Sequence, residues 1–220
     1  AEGNYTVKAT VAQTANYNAA SATADFAIST KAPQTVTAGN LTVKYGDTDK
    51  AVSASTNGDG TISYSVKSGS EYVEVNSSTG ALTIKKVGTA TITVTASETD
   101  SYAAASKDIT VTVAPLAVTA PTADTTVFTY NGQNQDYGVT ETANYTVSNG
   151  LQKNAGNYTV TVALKDKDNT VWVDSSDTAD KTFGFEIKKA TITITAKDKS
   201  AYVNDTAPTL GEGDYTVSGL

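Results

Sequence analysis

One passage is written twice in this chain, and the repetition limits what it can become. Asn154-Ala155-Gly156-Asn157-Tyr158-Thr159-Val160-Thr161-Val162 runs a turn straight into an alternating β-branched strand, and Glu2-Gly3-Asn4-Tyr5-Thr6-Val7 uses nearly the same words. Asn and Gly suit a turn because they tolerate left-handed backbone. Apolar residues at every second position read as a half-buried strand, and no segment keeps a 3.6-residue period. A chain that reuses such a unit is an array of small β-domains.

Composition narrows the chemistry. With no Cys there is no disulfide and no thiolate, and with no His there is neither the usual general base nor the commonest zinc ligand. The formal net charge of −7 opposes binding to nucleic acid, whose phosphates need Lys and Arg. No basic patch suits an anionic lipid surface, and no apolar run approaches the roughly 20 residues of a membrane-spanning helix. The 220 residues, 39% of them hydrophobic, suffice for thin two-sheet cores. The absence of Met marks an internal or processed segment.

The punctuation predicts four regions. Residues 1–30 carry strands at Tyr5–Val11 and Asp25–Ile28 around a polar break at Gln13–Asn18. So few strands cannot bury a core, so this reads as the closing half of a repeat. Lys31-Ala32-Pro33 marks a boundary, because Pro interrupts ladders. Residues 31–114 show clear strands at Leu41–Tyr45, Thr61–Val66, Val73–Val75, Ala81–Lys85, Ala90–Ala96 and Lys107–Val113, broken by turns such as Asn57-Gly58-Asp59-Gly60 and Ser77-Ser78-Thr79-Gly80. Short strands at this spacing predict a sandwich. Ala114-Pro115 opens a second complete domain, 115–188, with strands expected at Leu116–Thr119, Val127–Tyr130, Tyr137–Thr140, Asn144–Ser148, Asn157–Leu164, Thr170–Val173 and Thr182–Ile187. Residues 189–220 hold Thr191–Thr195 and then Asp214-Tyr215-Thr216-Val217-Ser218-Gly219-Leu220, the opening half of another repeat. That ending matches Asn144-Tyr145-Thr146-Val147-Ser148-Asn149-Gly150-Leu151, and the N-terminal passage matches Ala155-Gly156-Asn157-Tyr158-Thr159-Val160, a short link further on. The two ends therefore read as complementary halves, cut within one loop.

The motifs carry a family resemblance. Ser77-Ser78-Thr79-Gly80-Ala81-Leu82-Thr83-Ile84, Val87-Gly88-Thr89-Ala90-Thr91-Ile92 and Ser101-Tyr102-Ala103-Ala104-Ala105 resemble bacterial Ig-like group 2 (BIG2-type) domains. Residues 115–188, with Tyr130-Asn131-Gly132-Gln133-Asn134-Gln135 and Trp172, resemble Ig-like repeats of large Gram-positive surface proteins, and 190–220 is similar to the opening of an MBG-type repeat. The resemblance implies Ig-like sandwiches in an extracellular stalk or adhesin of a bacterium, at the cell surface or wall. It implies no catalytic residue.

Candidate residues divide between structure and chemistry. Tyr158, after Ala155-Gly156-Asn157, fits a tyrosine corner whose hydroxyl bonds back to the backbone; Tyr5, after Gly3, would be its twin. Trp172, the only Trp, reads as core. Asp47-Thr48-Asp49, Asp166-Lys167-Asp168 and Asp174, Asp177 and Asp180 offer oxygens for Ca²⁺, but none matches an EF-hand loop and solvated turns are the plainer reading. Lys44 and Lys165 are candidates for an isopeptide bond, with no partner evident from spacing. Asn-x-Thr and Asn-x-Ser triplets at Asn4, Asn76, Asn144, Asn157 and Asn204 read as turn and strand chemistry. Twelve Tyr could form a sugar-stacking platform, but most sit at core-facing strand positions or beside turn Asn and Gly; Tyr64, Tyr72 and Tyr137 are the less predictable ones.

The expected fold is all-β: tandem immunoglobulin-like antiparallel β-sandwiches with a half-domain at each end, joined by short linkers into a rod. The expected function is a structural spacer or stalk, with no enzyme activity, cofactor or metal. The alternative is a module that binds a glycan or a host protein, accessory to an adhesin or an extracellular enzyme. Neither nucleic acid nor membrane insertion is expected. Open strand edges and a bare apolar face invite pairing with another chain, so the half-domains are expected to join copies head-to-tail.

Overall fold

The structure, a computed structural model, describes residues 2–124, 126–209 and 211–219. It holds strands and turns and no helix among them. The chain divides into two compact units, Ala1–Ala114 and Pro115–Leu220.

The first unit opens with a hairpin of β1 (Gly3–Val11) and β2 (Ala20–Ile28), paired from Gly3↔Ile28 to Val11↔Ala20. Next comes a complete sandwich: β3 (Val36–Ala38), β4 (Leu41–Lys44), β5 (Ala54–Thr56), β6 (Ile62–Ser68), β7 (Val73–Val75), β8 (Leu82–Ile84), β9 (Gly88–Ala96) and β10 (Ala105–Ala114). One layer has the order β4-β10-β9-β6. The other joins β3–β5 to β7–β8 through an Ala51–Ala81 bridge, with Val52 N–H donating to Gly80 O at 2.9 Å. Alternation decides the packing. Ala90, Ile92, Val94 and Ala96 of β9 and Ile109, Val111 and Val113 of β10 face Val36, Ala38, Val52 and Val73 across the core.

Between β3 and β4 the chain changes layers at Gly39-Asn40, where Asn40 Oδ1 accepts from Thr110 N–H at 2.9 Å. This crossing sets β4 beside the last strand in parallel, from Leu41↔Val111 to Lys44↔Ala114.

The second unit has β11 (Leu116–Val118), β12 (Phe128–Thr129), β13 (Gln135–Asp136), β14 (Tyr145–Ser148), β15 (Leu151–Gln152), β16 (Gly156–Leu164), β17 (Thr170–Trp172) and β18 (Lys181–Lys188). Its main sheet runs β12-β18-β16-β14, with β12 again parallel to the last strand. The parallel pair β11–β17 packs onto it through Val118 and Trp172, which meet Val162 and Leu164. Tyr137, Val160, Phe185 and Ile187 continue the core. A hairpin of β19 (Thr193–Ala196) and β20 (Tyr215–Ser218) closes the chain.

The architecture is all-β: tandem immunoglobulin-like sandwiches with a half-domain at each end. The terminal hairpins are two-faced. Tyr5, Val7, Val11, Phe26 and Ile28 share one face of the first, and Ile194 and Val217 one face of the second. These faces lie open, with Val11 and Ile194 each 67% exposed.

Several strands differ from the sequence reading. Tyr137–Thr140 is not a strand; Gly138 takes a φ of +86° and turns the chain, which sends Tyr137 inward. β3, β5, β13 and β15 go beyond the expected strands: they are two or three residues long and carry at most one large apolar residue each. β2 reaches back to Ala20 through an Ala-rich stretch, because β1 offers a nine-residue ladder that outweighs the weak strand propensity of Ala.

Candidate functional site

The repeated passage is a closed turn. The Tyr158 hydroxyl donates to Asn154 O at 2.9 Å, four residues upstream, and its ring tilts against Phe185 at 6.0 Å between centroids. Residues two apart share a strand face, so Gly156 lies beneath that ring. A Cβ at Gly156 would stand 3.3 Å from the Tyr158 hydroxyl, a contact that requires the ring to give by a few tenths of an ångström. The twin passage keeps the same register: Gly3↔Ile28 and Tyr5↔Phe26 reproduce Gly156↔Ile187 and Tyr158↔Phe185. Tyr5 stacks on Phe26 at 5.6 Å, with 22° between the ring planes. Gly3 has a φ of +153°, a backbone setting that favours glycine.

Trp172 is fully buried. Its Nε1–H donates to Ala179 O at 2.7 Å, so the indole is satisfied without water and ties the 174–180 loop to the core. Tyr145 meets it at 6.0 Å.

The acidic loops are turned to local partners. Asp47 Oδ2 accepts from Lys44 N–H at 3.0 Å, and Asp166 accepts from Asn169 Nδ2 at 2.9 Å. Asp180 pairs with Lys167 at 2.7 Å, while Asp177 accepts from Ala179 N–H at 3.2 Å. Lys181, 3.0 Å from Asp174, holds that carboxyl below its ordinary range. Lys67, at 2.5 Å, does the same for Asp108, aided by the Thr93 hydroxyl. Among the described residues no three acidic side chains converge on a common point.

The other candidates disperse. Lys44 is exposed, and Lys165 Nζ sits 2.7 Å from Glu141 and donates to Thr142 O at 2.7 Å. Tyr64 and Tyr137 are core residues, and Tyr72 packs partly buried against the first core. The Tyr137 hydroxyl accepts from Asp124 N–H at 3.0 Å. Asn76 caps its own turn, accepting from the backbone N–H of Ser78 and Thr79 at 3.0 Å.

Two features escaped the sequence reading. Gln34 is 6% exposed, and its amide joins three segments: Nε2 donates to Ser97 O at 2.8 Å and Ala103 O at 2.9 Å, while Oε1 accepts from Thr56 Oγ1 at 3.1 Å and Gly60 N–H at 3.3 Å. Gly58 and Gly60 leave it room, since a Cβ would come within 2.5 Å and 2.7 Å of its side chain. The signal was slight: a Gln just after a Pro, and two Gly in one turn. The second feature is a groove of about 710 Å³ in the second unit, lined by Tyr130, Asn131, Ala155, Lys189, Ile192 and Gly219 among others. Its residues come from stretches far apart in sequence, which no local pattern announces.

No protein-family model matches the chain, and no curated protein matches it. Solved structures resemble it at low identity. A mouse cadherin-23 EC22-24 fragment is 13% identical over 86% of this chain and 75% of that one, with a TM-score of 0.28. Protocadherin gammaB7 EC3-6 is 14% identical over 84% and 60%, with a TM-score of 0.31. Domains 1-6 of the surface layer protein SbsC are 15% identical over 98% and 40%, with a TM-score of 0.29.

Proposed function

We propose that this chain is a load-bearing spacer of a bacterial cell-surface or secreted, adhesin-like protein, built from BIG2-type and MBG-type Ig-like repeats, in the extracellular space or wall of a Gram-positive cell. The observation that carries this reading is how the ends of each complete sandwich are tied. An early strand of each lies parallel to its last strand, β4 on β10 and β12 on β18. A pull that separates the two ends of such a domain draws these strands past each other, so the bonds between them are loaded together in shear rather than opened one by one. Tyr45 N–H to Ala114 O and Tyr130 N–H to Lys188 O, both 2.8 Å, extend the two clamps.

The clamps differ in length, with register pairs from Leu41 to Lys44 in the first and only Phe128 and Thr129 in the second. Single-molecule stretching of the full chain is expected to give two discrete unfolding events, with the 115–188 domain yielding first. A smooth extension at low force, like that of an unstructured chain, rules the spacer role out.

A second reading, a module that binds a glycan or host protein, draws on the groove in the second unit. Tyr130 is 39% exposed beside Asn131, giving an aromatic face next to an amide. A glycan array and a host-protein pull-down, each repeated with Tyr130→Ala, separate the two readings.

A further inference from the structure

We propose that β1 receives, along the edge turned away from β2, strand β20 of a second copy of this chain, so that the halves complete one repeat between molecules. The complete repeat already contains this interface. There β16 lies between β18 on one side and β14 on the other. The pair β1–β2 reproduces β16–β18 residue for residue in register, from Gly3↔Ile28 against Gly156↔Ile187 onward. Its sheet has two strands only, so the position that β14 fills is taken by no strand among the described residues.

In the complete repeat that position holds Tyr145-Thr146-Val147-Ser148, and β20 carries those four residues unchanged as Tyr215-Thr216-Val217-Ser218. The template fixes the pairing. Tyr145↔Leu164 through Ser148↔Thr161 translates, with Gly3 in the place of Gly156, to Tyr215↔Val11, Thr216↔Thr10, Val217↔Ala9 and Ser218↔Lys8. This register turns Tyr215 and Val217 to the apolar face already formed by Tyr5, Val7, Val11 and Phe26, and leaves Thr10 and Thr216 on the polar face. β1 and β20 belong to different compact units, and each pairs with its own hairpin partner.

The receiving edge of β20 is not empty. In the complete repeat Asn144 O accepts from Lys165 N–H at 3.0 Å; in the terminal hairpin Asp214 O, the matching atom, accepts from Lys197 N–H at 2.7 Å. Pairing from Tyr215↔Ala196 to Ser218↔Thr193 repeats Tyr145↔Leu164 to Ser148↔Thr161. The wording matches too, Thr193-Ile194-Thr195-Ala196-Lys197-Asp198-Lys199 against Thr161-Val162-Ala163-Leu164-Lys165-Asp166-Lys167. β19 therefore occupies the edge of β20 in the manner in which β16 occupies that of β14. Association is an exchange: β1 of one copy displaces β19 of another. A two-stranded hairpin, exposed but for a half-buried Tyr215, is a weak competitor, whereas the joined sheet sets Tyr215 beside Val11 and Val217 beside Ala9 on one apolar face and gains those cross-strand contacts.

The chain has no Cys, which gives disulfide trapping a clean background. Thr10→Cys and Thr216→Cys alter exposed residues on the polar faces. Single variants of the 220-residue chain, mixed in equal amounts and mildly oxidised across a wide concentration range, are expected to give a linked dimer in at least tenfold excess over either variant alone. The double variant gives a ladder of linked oligomers. Thr6→Cys mixed with Thr216→Cys lies four residues out of register and stays largely monomeric. Circular dichroism of each variant, matched to the parent, establishes that folding is kept. Three results overturn the proposal: monomer throughout, equal linkage from Thr6→Cys, or a double variant that closes on itself without forming oligomers. None of these touches the stretching experiment, so the spacer reading stands or falls separately.

Discussion

Replacing Gln34 tests whether a single buried amide holds the first sandwich together at its loop end. Gln34→Ala removes two donors aimed at Ser97 O and Ala103 O and an acceptor shared by Thr56 Oγ1 and Gly60 N–H. Each bond contributes about 1 kcal/mol net, and the groups left behind cost more where water cannot reach them. The two bonds to Nε2 are short, at 2.8 Å and 2.9 Å, and the two to Oε1 are longer and weaker. The expected loss is about 3 kcal/mol. For a domain of this size that lowers the melting midpoint by roughly 15 °C.

The assay exploits an asymmetry. Trp172 is the only Trp and lies in the second unit, so its fluorescence follows that unit while far-UV circular dichroism follows both. Urea unfolding of Gln34→Ala should show one dichroism component moved to lower urea and an unmoved fluorescence transition. Gln34→Glu should be worse at neutral pH, because a carboxylate cannot donate to Ser97 O or Ala103 O and sets its charge against both. Burial and those carbonyls raise the folded-state pKa of the new acid, so stability returns as pH falls and protonation restores one donor. A dichroism shift below about 0.5 kcal/mol, or equal movement of both signals, refutes the reasoning.

Three further outcomes are expected. Tyr158→Phe loses the bond to Asn154 O and should destabilise the second unit by about 1 kcal/mol, read by Trp172 fluorescence in urea. Trp172→Phe leaves Ala179 O without its donor and opens a void among Val118, Val162 and Leu164; a loss of about 3 kcal/mol is expected, measured by calorimetry. Melting temperature should be flat from about pH 5 to 8, because the chain has no His. It should fall below about pH 4, because Asp108, Asp174 and Asp214 are held below the ordinary carboxylate range by Lys67, Lys181 and Lys199. A lowered folded-state pKa gives stability that is present above the unfolded value and is lost as the acid protonates. Calorimetry in roughly 0.5 M salt should shrink that fall, since the pairs are exposed and screened.

Strands declared themselves in the sequence where burial alternates strongly. β7 has the expected bounds, Val73–Val75, and β9 and β16 extend their expected strands by a residue or two, because β-branched residues at every second position leave one face to bury. β5, Ala54–Thr56, gave no such sign; it exists because β3 lies beside it. Tyr137 shows the opposite error. Its large side chain is apolar enough to suggest a strand, but its burial depends on the turn at Gly138 and on rings from β18. Gln34 could not be found by pattern at all. Its role rests on Ser97 and Ala103, more than sixty residues away, and an amide reads as surface until the fold surrounds it.

The repeated ladder also separates what fixes register from what supplies stability. β16–β18 is covered by the core of its domain, with Val160, Phe185 and Ile187 buried, whereas β1–β2 leaves the matching face open. Yet the two share one register. A core is therefore not needed to choose the pairing. The choice is made locally, by a Tyr facing a Phe and a Gly facing an Ile on adjacent strands, the kind of cross-strand contact that sets a hairpin. What the terminal hairpin lacks is burial: Val7 and Val11 remain in water where Val160 and Leu164 do not. Such a segment has its register built in and its apolar face in water.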